Sequence, residues 1–239
     1  METDRLGPIS LEQLDERAAL LRRVDRKYVV EPEALAQLIE QLAADHDVLE
    51  IDGRREFAYD TIYLDTADLR CFREHGEDVK PRFKARTRCY VDAGDCVFEV
   101  KVKHRDGDTD KRQTEDLGAS RELLEVTLRD AEIEPPSELE EVLRTSFRRI
   151  TLAAREGGAR LTIDRDVTLA RMHGEAVRLR DGLALVETKS EDGESPGDRA
   201  LAELGAREVS ISKYRTGIDA LVRRDETGDV EEARSLFAP

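Results

Sequence analysis

The sequence is short of the residues that most often build disulfide frameworks and zinc sites. Its 239 residues include three cysteines, four histidines and no tryptophan. Cys71, Cys89 and Cys96 are odd in number and lack a C-x-x-C spacing, which predicts no disulfide framework and a reduced interior. The histidines show no metal-ligand spacing, so we expect no zinc site.

Long apolar runs are also missing. No stretch approaches the roughly 20 apolar residues that span a bilayer. The first residues are acidic and mixed in character, whereas a secretory signal starts with basic residues followed by an apolar segment. We therefore expect a cytoplasmic protein with no membrane segment in this chain.

Positive charge is scarce overall, but it is concentrated in one part of the chain. Lys and Arg number 39 against 54 Asp and Glu, a formal net charge of −15, which argues against a protein that coats nucleic acid or anionic membrane. Residues 80–112 nevertheless hold ten cations and six acids, a net charge of +4, so the rest of the chain carries −19. This basic middle segment needs an explanation.

The pattern of apolar and turn residues predicts helices interspersed with antiparallel strands. Ser10 and Gln13 have the spacing of a capping box, and residues 92–95 form a hairpin turn between two alternating segments. The predicted helices are 10–22, 31–44, 67–74, 120–130, 136–145, a segment after Pro196, and 214–224. The predicted strands are 24–30, 57–64, 80–91, 96–105, 147–154, 159–167 and 184–190. This order predicts an α+β fold with one antiparallel sheet.

Charged residues recur at strand period in this sheet, so that they share one face. One hairpin arm places five cations on a single face without an acid among them. These are Lys80, Arg82, Lys84, Arg86 and Arg88. Glu99, Lys101 and Lys103 share a face of the next strand, and Glu187 and Lys189 share a face of a later one.

Two interpretations of the charged faces remain open. A charged face of an antiparallel sheet is often simply solvated. A row of like charges repels itself, however, unless an anion lies across it. If the sheet closes into a barrel, the charged faces line its interior, and a phosphate chain suits Arg forks and Lys point charges. Glu99 and Glu187 then need a bridging divalent cation, magnesium or manganese, to lie beside phosphate.

A set of short motifs follows in order along most of the chain. They are RVDRKY (23–28), YDTIYLDT (59–66), RTRCY (86–90), FEVK (98–101), DKRQ (110–113), RTSFRR (144–149), ARLTIDRD (159–166), VETK (186–189) and SKY (212–214). In this order the motifs resemble those of the triphosphate tunnel metalloenzymes, and more narrowly those of the VTC-type polyphosphate polymerase domain. The resemblance implies an eight-stranded antiparallel β-barrel, a triphosphate tunnel, with flanking helices.

The resemblance also implies roles for individual residues. Glu187 is the implied metal ligand, with Glu99 as a second candidate, and Lys213 is implied at the phosphate being transferred, together with Arg86 and Arg88. The implied phosphate ligands are Lys27, Arg86, Arg88, Lys101, Lys111, Arg149 and Arg160. Lys189 is added because it shares the face of Glu187. Arg148 and Arg149 are adjacent, so only one can face the tunnel, and the motif favours Arg149.

The first strand separates branches of the superfamily. The related CYTH-type triphosphatases begin with E-x-E-x-K, whereas the corresponding positions here are Arg23, Asp25 and Lys27. The loss of the first carboxylate favours the polymerase branch, although a non-catalytic binder would show the same change.

The expected function is a metal-dependent phosphotransferase, a polyphosphate polymerase that moves the γ-phosphate of ATP onto a polyphosphate chain with Mn²⁺ or Mg²⁺. The alternatives are an inorganic triphosphatase and a polyphosphate-binding module without turnover. The expected organisation is an N-terminal helix (1–22), a VTC tunnel domain (23–225) and a C-terminal tail (226–239). Chain-length preference, the preferred metal, the direction of reaction and the oligomeric state are left open by the sequence.

Overall fold

The computed structural model describes residues 3–17, 24–223 and 228–239 of the chain. These residues form thirteen strands. The strands are β1 (Gly7–Ile9), β2 (Val24–Val30), β3 (His46–Leu49), β4 (Phe57–Asp65), β5 (Arg82–Tyr90), β6 (Asp95–Lys103), β7 (Thr109–Thr114), β8 (Glu140–Ala154), β9 (Arg160–Ala170), β10 (Ala176–Leu179), β11 (Ala184–Ser190), β12 (Arg207–Glu208) and β13 (Phe237–Ala238).

Seven α-helices accompany the strands. They are α1 (Leu11–Arg17), α2 (Pro32–Leu42), α3 (Arg70–Gly76), α4 (Ser120–Asp130), α5 (Pro196–Glu203), α6 (Lys213–Ile218) and α7 (Gly228–Ser235). Within the described ranges, no helix is both long and apolar enough to cross a membrane.

The chain divides into two compact units. The first unit comprises residues 1–57, 147–167 and 179–211, and the second comprises 58–146, 168–178 and 212–239. Strands β8 and β9 each contribute residues to both units.

The first unit is built on antiparallel strands in the order β12, β2, β11, β9, β8. One face of this sheet is apolar because alternate residues of each strand point the same way. Tyr28, Val186 and Ile163 are buried there together with Leu38 and Leu42 of α2. Helix α2 begins with Pro at its first position, which suits the fixed φ of that residue. The other face of the sheet carries the charged residues.

The second unit is built on strands in the order β8, β4, β5, β6, β7. Helix α3 contacts β5 and α4 contacts β6. Phe83 and Ala85 of β5 and Val100 and Val102 of β6 are buried. The charged residues of the same strands alternate with these apolar ones and therefore lie on the opposite face.

The predicted α+β class with a large antiparallel sheet is confirmed. The strand order of each unit ends on open strands, β12 in the first and β7 in the second. The closed eight-stranded barrel therefore stays a prediction.

Many predicted elements are confirmed. The capping box at the start of α1 is formed, with Gln13 N donating to Ser10 Oγ (3.2 Å) and Ser10 N donating to Gln13 Oε1 (3.1 Å). Helix α4 has the predicted bounds, and the predicted 80–91 and 96–105 hairpin is β5 and β6. The predicted segment 18–22, Arg23 and the end of the last helix at Arg224 lie outside the described residues.

The predicted helix over 136–145 is wrong. Residues from Glu140 onward belong to the 15-residue strand β8. Leu143, Thr145 and Phe147 are buried while Arg144 and Arg148 are exposed, which is strand alternation. The segment ELEEVLR has good helix formers, but pairing and burial in the sheet override that preference.

The cysteine pattern predicts no disulfide framework and a reduced interior, yet one disulfide is present. Cys89 and Cys96 form a disulfide, whereas Cys71 is a free, buried thiol. The pairing follows from the hairpin, because the register places Cys89 of β5 directly opposite Cys96 of β6. Spacing along the chain does not reveal this neighbourhood, but the strand register does.

Candidate functional site

The charged face of the first unit brings together residues from three neighbouring strands. Lys27 of β2 lies opposite Glu187 of β11, which lies opposite Thr162 of β9. The adjacent row places Lys189 between Asp25 and Arg160. Because residues that oppose each other in a ladder share a face, these side chains form one polar surface. We call it the Glu187 cluster, with Arg149 and Asp164 as further members.

Glu187 is the acidic centre of this cluster and is surrounded by cations. Lys189 donates a hydrogen bond to its carboxylate, and Lys27 Nζ lies 3.6 Å from Oε1. Burial alone would raise the pKa of Glu187, but Lys189 and Lys27 outweigh burial and hold the pKa at about 2. The carboxylate is therefore ionised at neutral pH.

Arg149 is held by a carboxylate that sequence reasoning did not select. Its Nε and Nη2 donate to the two oxygens of Asp164 at 2.6 and 2.8 Å, a bidentate pair. Asp164 is buried, whereas the neighbouring Arg148 is exposed and pairs with Glu56. Arg149 is thus the member of the adjacent pair that joins the cluster. The motif ARLTIDRD contains Asp164 at strand period with Arg160, which is the signal that could have identified it.

Arg160 also lies on this face but is loosely held. Its Nη2 is 3.4 Å from Asp15, an exposed carboxylate. Its Nε is buried and has no hydrogen-bond partner among the described residues. A buried guanidinium donor without an acceptor is costly, so this atom is suited to an anionic ligand.

The charged face of the second unit is a denser array of cations. Arg86 of β5 lies between Tyr63 of β4 and Glu99 of β6, and Arg88 lies opposite Thr61. Lys101 of β6 lies between Lys84 of β5 and Lys111 of β7. This surface, the Glu99 cluster, contains four of the sequence-predicted phosphate ligands: Arg86, Arg88, Lys101 and Lys111.

Glu99 is the counter-ion of this cluster. It is 2% exposed, accepts a hydrogen bond from Arg86 Nε, and lies 3.9 Å from Arg88 Nη1 and 3.4 Å from Lys111 Nζ. Burial would raise the pKa of Glu99, but Arg86, Arg88 and Lys111 lower it further than burial raises it. The row of cations predicted from the sequence is therefore partly balanced by the protein's own carboxylate.

Lys84 of this cluster has a further basic neighbour, His75 of α3. Lys84 Nζ lies 3.5 Å from Ser212 Oγ and forms no ion pair with a carboxylate among the described residues. Burial and the charges of Lys101, Arg82 and Arg86 lower the pKa of Lys84 to about 7. Burial and the nearby charges of Lys84, Arg82 and Arg215 lower the pKa of His75 to about 3. Each shift has the direction expected for a basic group desolvated near other cations.

Lys213 follows Ser212 at the start of α6, in the same unit as Arg86 and Arg88. Ser212 caps this helix, since its hydroxyl accepts from Arg215 N at 3.5 Å. The sequence placed Lys84 on the charged face but assigned it no role, because no family motif covers it.

The predicted metal ligands are separated between the two clusters, Glu187 in the first unit and Glu99 in the second. Across the described parts of the chain, no group of three or more His, Cys, Asp or Glu side chains is arranged to hold a metal ion. Magnesium commonly binds through one or two carboxylates together with substrate phosphate oxygens. A single ionised carboxylate such as Glu187, beside cations that attract phosphate, fits that mode.

Solved structures with weak similarity to the chain include three from Pyrococcus species. The PH1819 protein of Pyrococcus horikoshii OT3 has 14% identity and a TM-score of 0.49, over 84% of this chain and 99% of that one. The PH1012 protein of the same organism has 12% identity and a TM-score of 0.46, over 77% and 91%. A conserved hypothetical protein from Pyrococcus furiosus has 10% identity and a TM-score of 0.38, over 77% and 86%.

Comparison with curated protein sequences gives no match. The family model described as VTC domain matches residues 22–222, which contain both clusters and every residue assigned above from a motif. The chain therefore belongs to the VTC domain family.

Proposed function

We propose that the protein is a polyphosphate polymerase that transfers the γ-phosphoryl group of ATP onto the end of a phosphate chain. The observation that carries this proposal is the Glu99 cluster, where Lys84, Arg86, Arg88, Lys101 and Lys111 share one face of strands β5 to β7 with the buried carboxylate of Glu99, the one acid that lies between them in the described part of these strands. Such a surface has more positive charge than its own acid can balance. A polyanion supplies the remaining negative charge.

The reaction needs positioning and charge neutralisation more than it needs a protein nucleophile. A terminal oxygen of the acceptor chain bonds to the γ-phosphorus, and the bond from that phosphorus to the β–γ bridging oxygen breaks to release ADP. Arg86 and Arg88 hold the phosphates and offset the negative charge of the transferred group. Lys213, on the short helix after Ser212, completes this set.

Glu187 is the proposed ligand of the divalent cation, Mn²⁺ or Mg²⁺. When bound, the cation neutralises charge on the donor phosphates. Lys27, Lys189, Arg149 and Arg160 line the same face and hold the phosphate chain. The Glu99 side chain contacts three cations and is only 2% exposed, whereas that of Glu187 is 23% exposed, so a counter-ion role is favoured over metal binding for Glu99. The proposed architecture is the eight-stranded tunnel that the family resemblance implies.

One experiment distinguishes polymerase, triphosphatase and binder. The purified chain is incubated with ATP and Mn²⁺ or Mg²⁺, and the products are separated by gel electrophoresis and identified by phosphorus NMR. Long chains together with ADP support the proposal. Free phosphate from tripolyphosphate without chains identifies a triphosphatase instead. A rise in melting temperature with polyphosphate, without either product, identifies a binding module.

The metal assignment has its own test. Glu187→Ala is expected to abolish metal-dependent turnover while leaving phosphate-chain binding within a few-fold of the unchanged protein. Glu191→Ala, which removes an exposed carboxylate just beyond the same strand, serves as the matched control and is expected to be active. Full activity of Glu187→Ala would overturn the assignment.

A further inference from the structure

Two tyrosines stand at the end of the Glu99 cluster. Of the five tyrosines in the chain, Tyr28, Tyr63 and Tyr214 are buried, whereas Tyr59 and Tyr90 are half-buried. The register pairs Tyr59 of β4 with Tyr90 of β5. Tyr90 follows Arg86 and Arg88 at strand period, so both rings lie on the charged face rather than on the face that packs under the helices.

The two rings and Arg88 form a connected group. The ring centroids of Tyr59 and Tyr90 are 5.3 Å apart with an interplanar angle of 70°, an edge-to-face arrangement. The guanidinium carbon of Arg88 lies 5.8 Å from the centroid of the Tyr59 ring. Arg88 therefore touches the aromatic pair on one side and the Glu99 carboxylate on the other.

Charge changes along this face. Lys84, Arg86 and Arg88 follow one another on β5, and the next residue of the row is Tyr90, paired with Asp95 of β6. The part of the row that suits phosphate thus ends at Arg88. Beyond it lie the Tyr90 ring and the Asp95 carboxylate. A carboxylate repels phosphate but accepts hydrogen bonds from hydroxyl or amino groups. The row is complementary to a nucleotide. Its cationic end suits the phosphates, and its end with Tyr90 and Asp95 suits the base and the sugar hydroxyls.

The spacing along the strand is also suitable. Tyr90 lies four residues beyond Arg86, which corresponds to about 13 Å along the strand. This is comparable to the length of a ribose with its triphosphate. A base is read without sequence preference when it stacks on an aromatic ring, a contact available to every nucleobase.

We propose that Tyr59 and Tyr90 form a stacking platform for the nucleobase of a nucleoside triphosphate whose phosphates lie on Arg86 and Arg88. The site rests on the proposed function for the role of these two arginines. It gives the protein a means to distinguish a nucleotide donor from inorganic tripolyphosphate. A cross-strand aromatic pair could alternatively serve only to stabilise the hairpin, and that alternative makes no distinction between the two ligands.

Binding measurements without turnover separate these alternatives. ATP and tripolyphosphate are titrated calorimetrically into the full chain in EDTA, so that no metal-dependent reaction proceeds. Tyr90→Leu is expected to weaken ATP binding about 5- to 150-fold, the range for one lost stacking contact, and to change tripolyphosphate binding less than twofold. Tyr59→Leu is expected to act in the same direction. Tyr90→Phe, which keeps the ring, is the matched control and is expected to retain ATP affinity.

Stacking has a spectroscopic signature as well. The adenine H2 and H8 protons of bound ATP are expected to shift upfield through the ring current of the tyrosines, and Tyr90→Leu is expected to remove that shift. Equal weakening of ATP and tripolyphosphate by Tyr90→Leu overturns the platform, and so does unchanged ATP affinity in both leucine variants.

The outcome is independent of the polymerase assay. If no chains form from ATP but Tyr90→Leu weakens ATP selectively, the proposed function fails and the base platform stands. If chains form and the Tyr59→Leu, Tyr90→Leu double variant makes them at the wild-type rate with subsaturating ATP, the platform fails alone.

Discussion

Tyr214 donates its phenolic hydrogen to the carboxylate of Asp65, which is completely buried. Asp65 also accepts from the backbone nitrogens of Cys71 (2.8 Å) and Phe72 (3.1 Å) in the first turn of α3. The Asp65 carboxylate thus accepts hydrogen bonds from the first turn of α3 and from Tyr214 of α6. It therefore holds α6, the helix that begins with Lys213, against α3. Burial and the Asp65 carboxylate strongly raise the pKa of Tyr214, so the phenol stays protonated and remains a donor.

The first prediction concerns this hydrogen bond. Tyr214→Phe is expected to lower the free energy of unfolding by about 1–3 kcal/mol, because a buried carboxylate oxygen loses a donor. Urea denaturation measures the change. Tyr28→Phe is the control, since the Tyr28 hydroxyl lies 3.4 Å from Asp198 and that carboxylate has better-placed donors in Ser195 and Thr188. An equal or smaller loss for Tyr214→Phe than for Tyr28→Phe would contradict the prediction.

The second prediction uses the low pKa of Glu187. Its pKa is 4.5 in the unfolded chain and about 2 in the folded protein, where Lys189 and Lys27 outweigh burial. A group with a depressed acidic pKa stabilises the fold above its unfolded pKa, and that stabilisation is lost as the pH falls from 4.5 towards 2. Glu187→Gln is therefore expected to be less stable than the wild type at pH 7, with a difference that shrinks over this interval.

Unfolding free energies between pH 7 and pH 2.5 test the second prediction. Glu191→Gln is the matched control on an exposed carboxylate, and its difference from wild type is expected to stay small throughout. A stability difference for Glu187→Gln that is constant with pH is incompatible with the two lysine contacts.

Much of this arrangement could be predicted from residue patterns. Alternation at period two placed Lys27, Glu187 and Lys189 on one face and Val186 and Tyr28 on the other, and the strand register confirms both sets. The hairpin turn at 92–95 likewise predicted that Arg86 and Glu99 would lie on neighbouring strands. The face on which a strand residue lies depends only on its position along that strand, so alternation in a single sequence can predict it.

Other features depend on strand register or on contacts between separate elements, which alternation along one strand does not reveal. The Asp164 carboxylate of the Arg149 pair, the Tyr214 contact with Asp65 and the Cys89–Cys96 disulfide each follow from strand register or helix docking. The segment ELEEVLR shows the same limit, since its residues from Glu140 onward favour a helix locally but pair with neighbouring strands as part of β8. Local preference decides an element only where tertiary contacts do not oppose it.

The third prediction concerns Lys84. Its pKa is lowered to about 7, chiefly by burial and then by the charges of Lys101, Arg82 and Arg86. The Lys84 Nζ lies beside the hydroxyl oxygen of Ser212. The groups that face it are the three cations just named and, from α3, the Cys71 thiol and His75. A polyanion favours the protonated amine, so binding takes up a proton at pH values above the free-protein pKa. The affinity for tripolyphosphate is therefore expected to fall as the pH rises from 6.5 to 9.

Lys84 substitutions isolate this contribution from the titration of the ligand itself. Relative to the pH dependence that the ligand imposes on every variant, the wild-type affinity is expected to fall with pH, that of Lys84→Arg, which stays charged, is expected to fall less, and that of Lys84→Met is expected to be weaker without this additional fall. The folded pKa lies below that of an unfolded lysine, so the unfolded chain binds more protons between pH 7 and 10.5 and the contribution of Lys84 to stability rises with pH. Wild-type and Lys84→Met profiles that run parallel from pH 6.5 to 9 would refute the proton linkage.

The fourth prediction concerns the pair of Arg149 and Asp164. The Asp164 carboxylate is 3% exposed and accepts hydrogen bonds from Nε and Nη2 of Arg149, so it competes with phosphate for these two donors. Asp164→Asn removes the negative charge with little change in shape. We expect it to tighten tripolyphosphate binding several-fold and to lower the free energy of unfolding by up to about 3 kcal/mol, because the arginine keeps its charge without a full counter-ion.

Calorimetry at two salt concentrations and urea denaturation measure both effects. Asp60→Asn is the matched control: Asp60 pairs with the exposed Arg144, and an exposed pair contributes about 0–1 kcal/mol. The control is expected to leave tripolyphosphate binding unchanged. Weaker binding by Asp164→Asn would show instead that Arg149 must be held by Asp164 before it can contact phosphate, because an unrestrained arginine loses more rotamer freedom on binding.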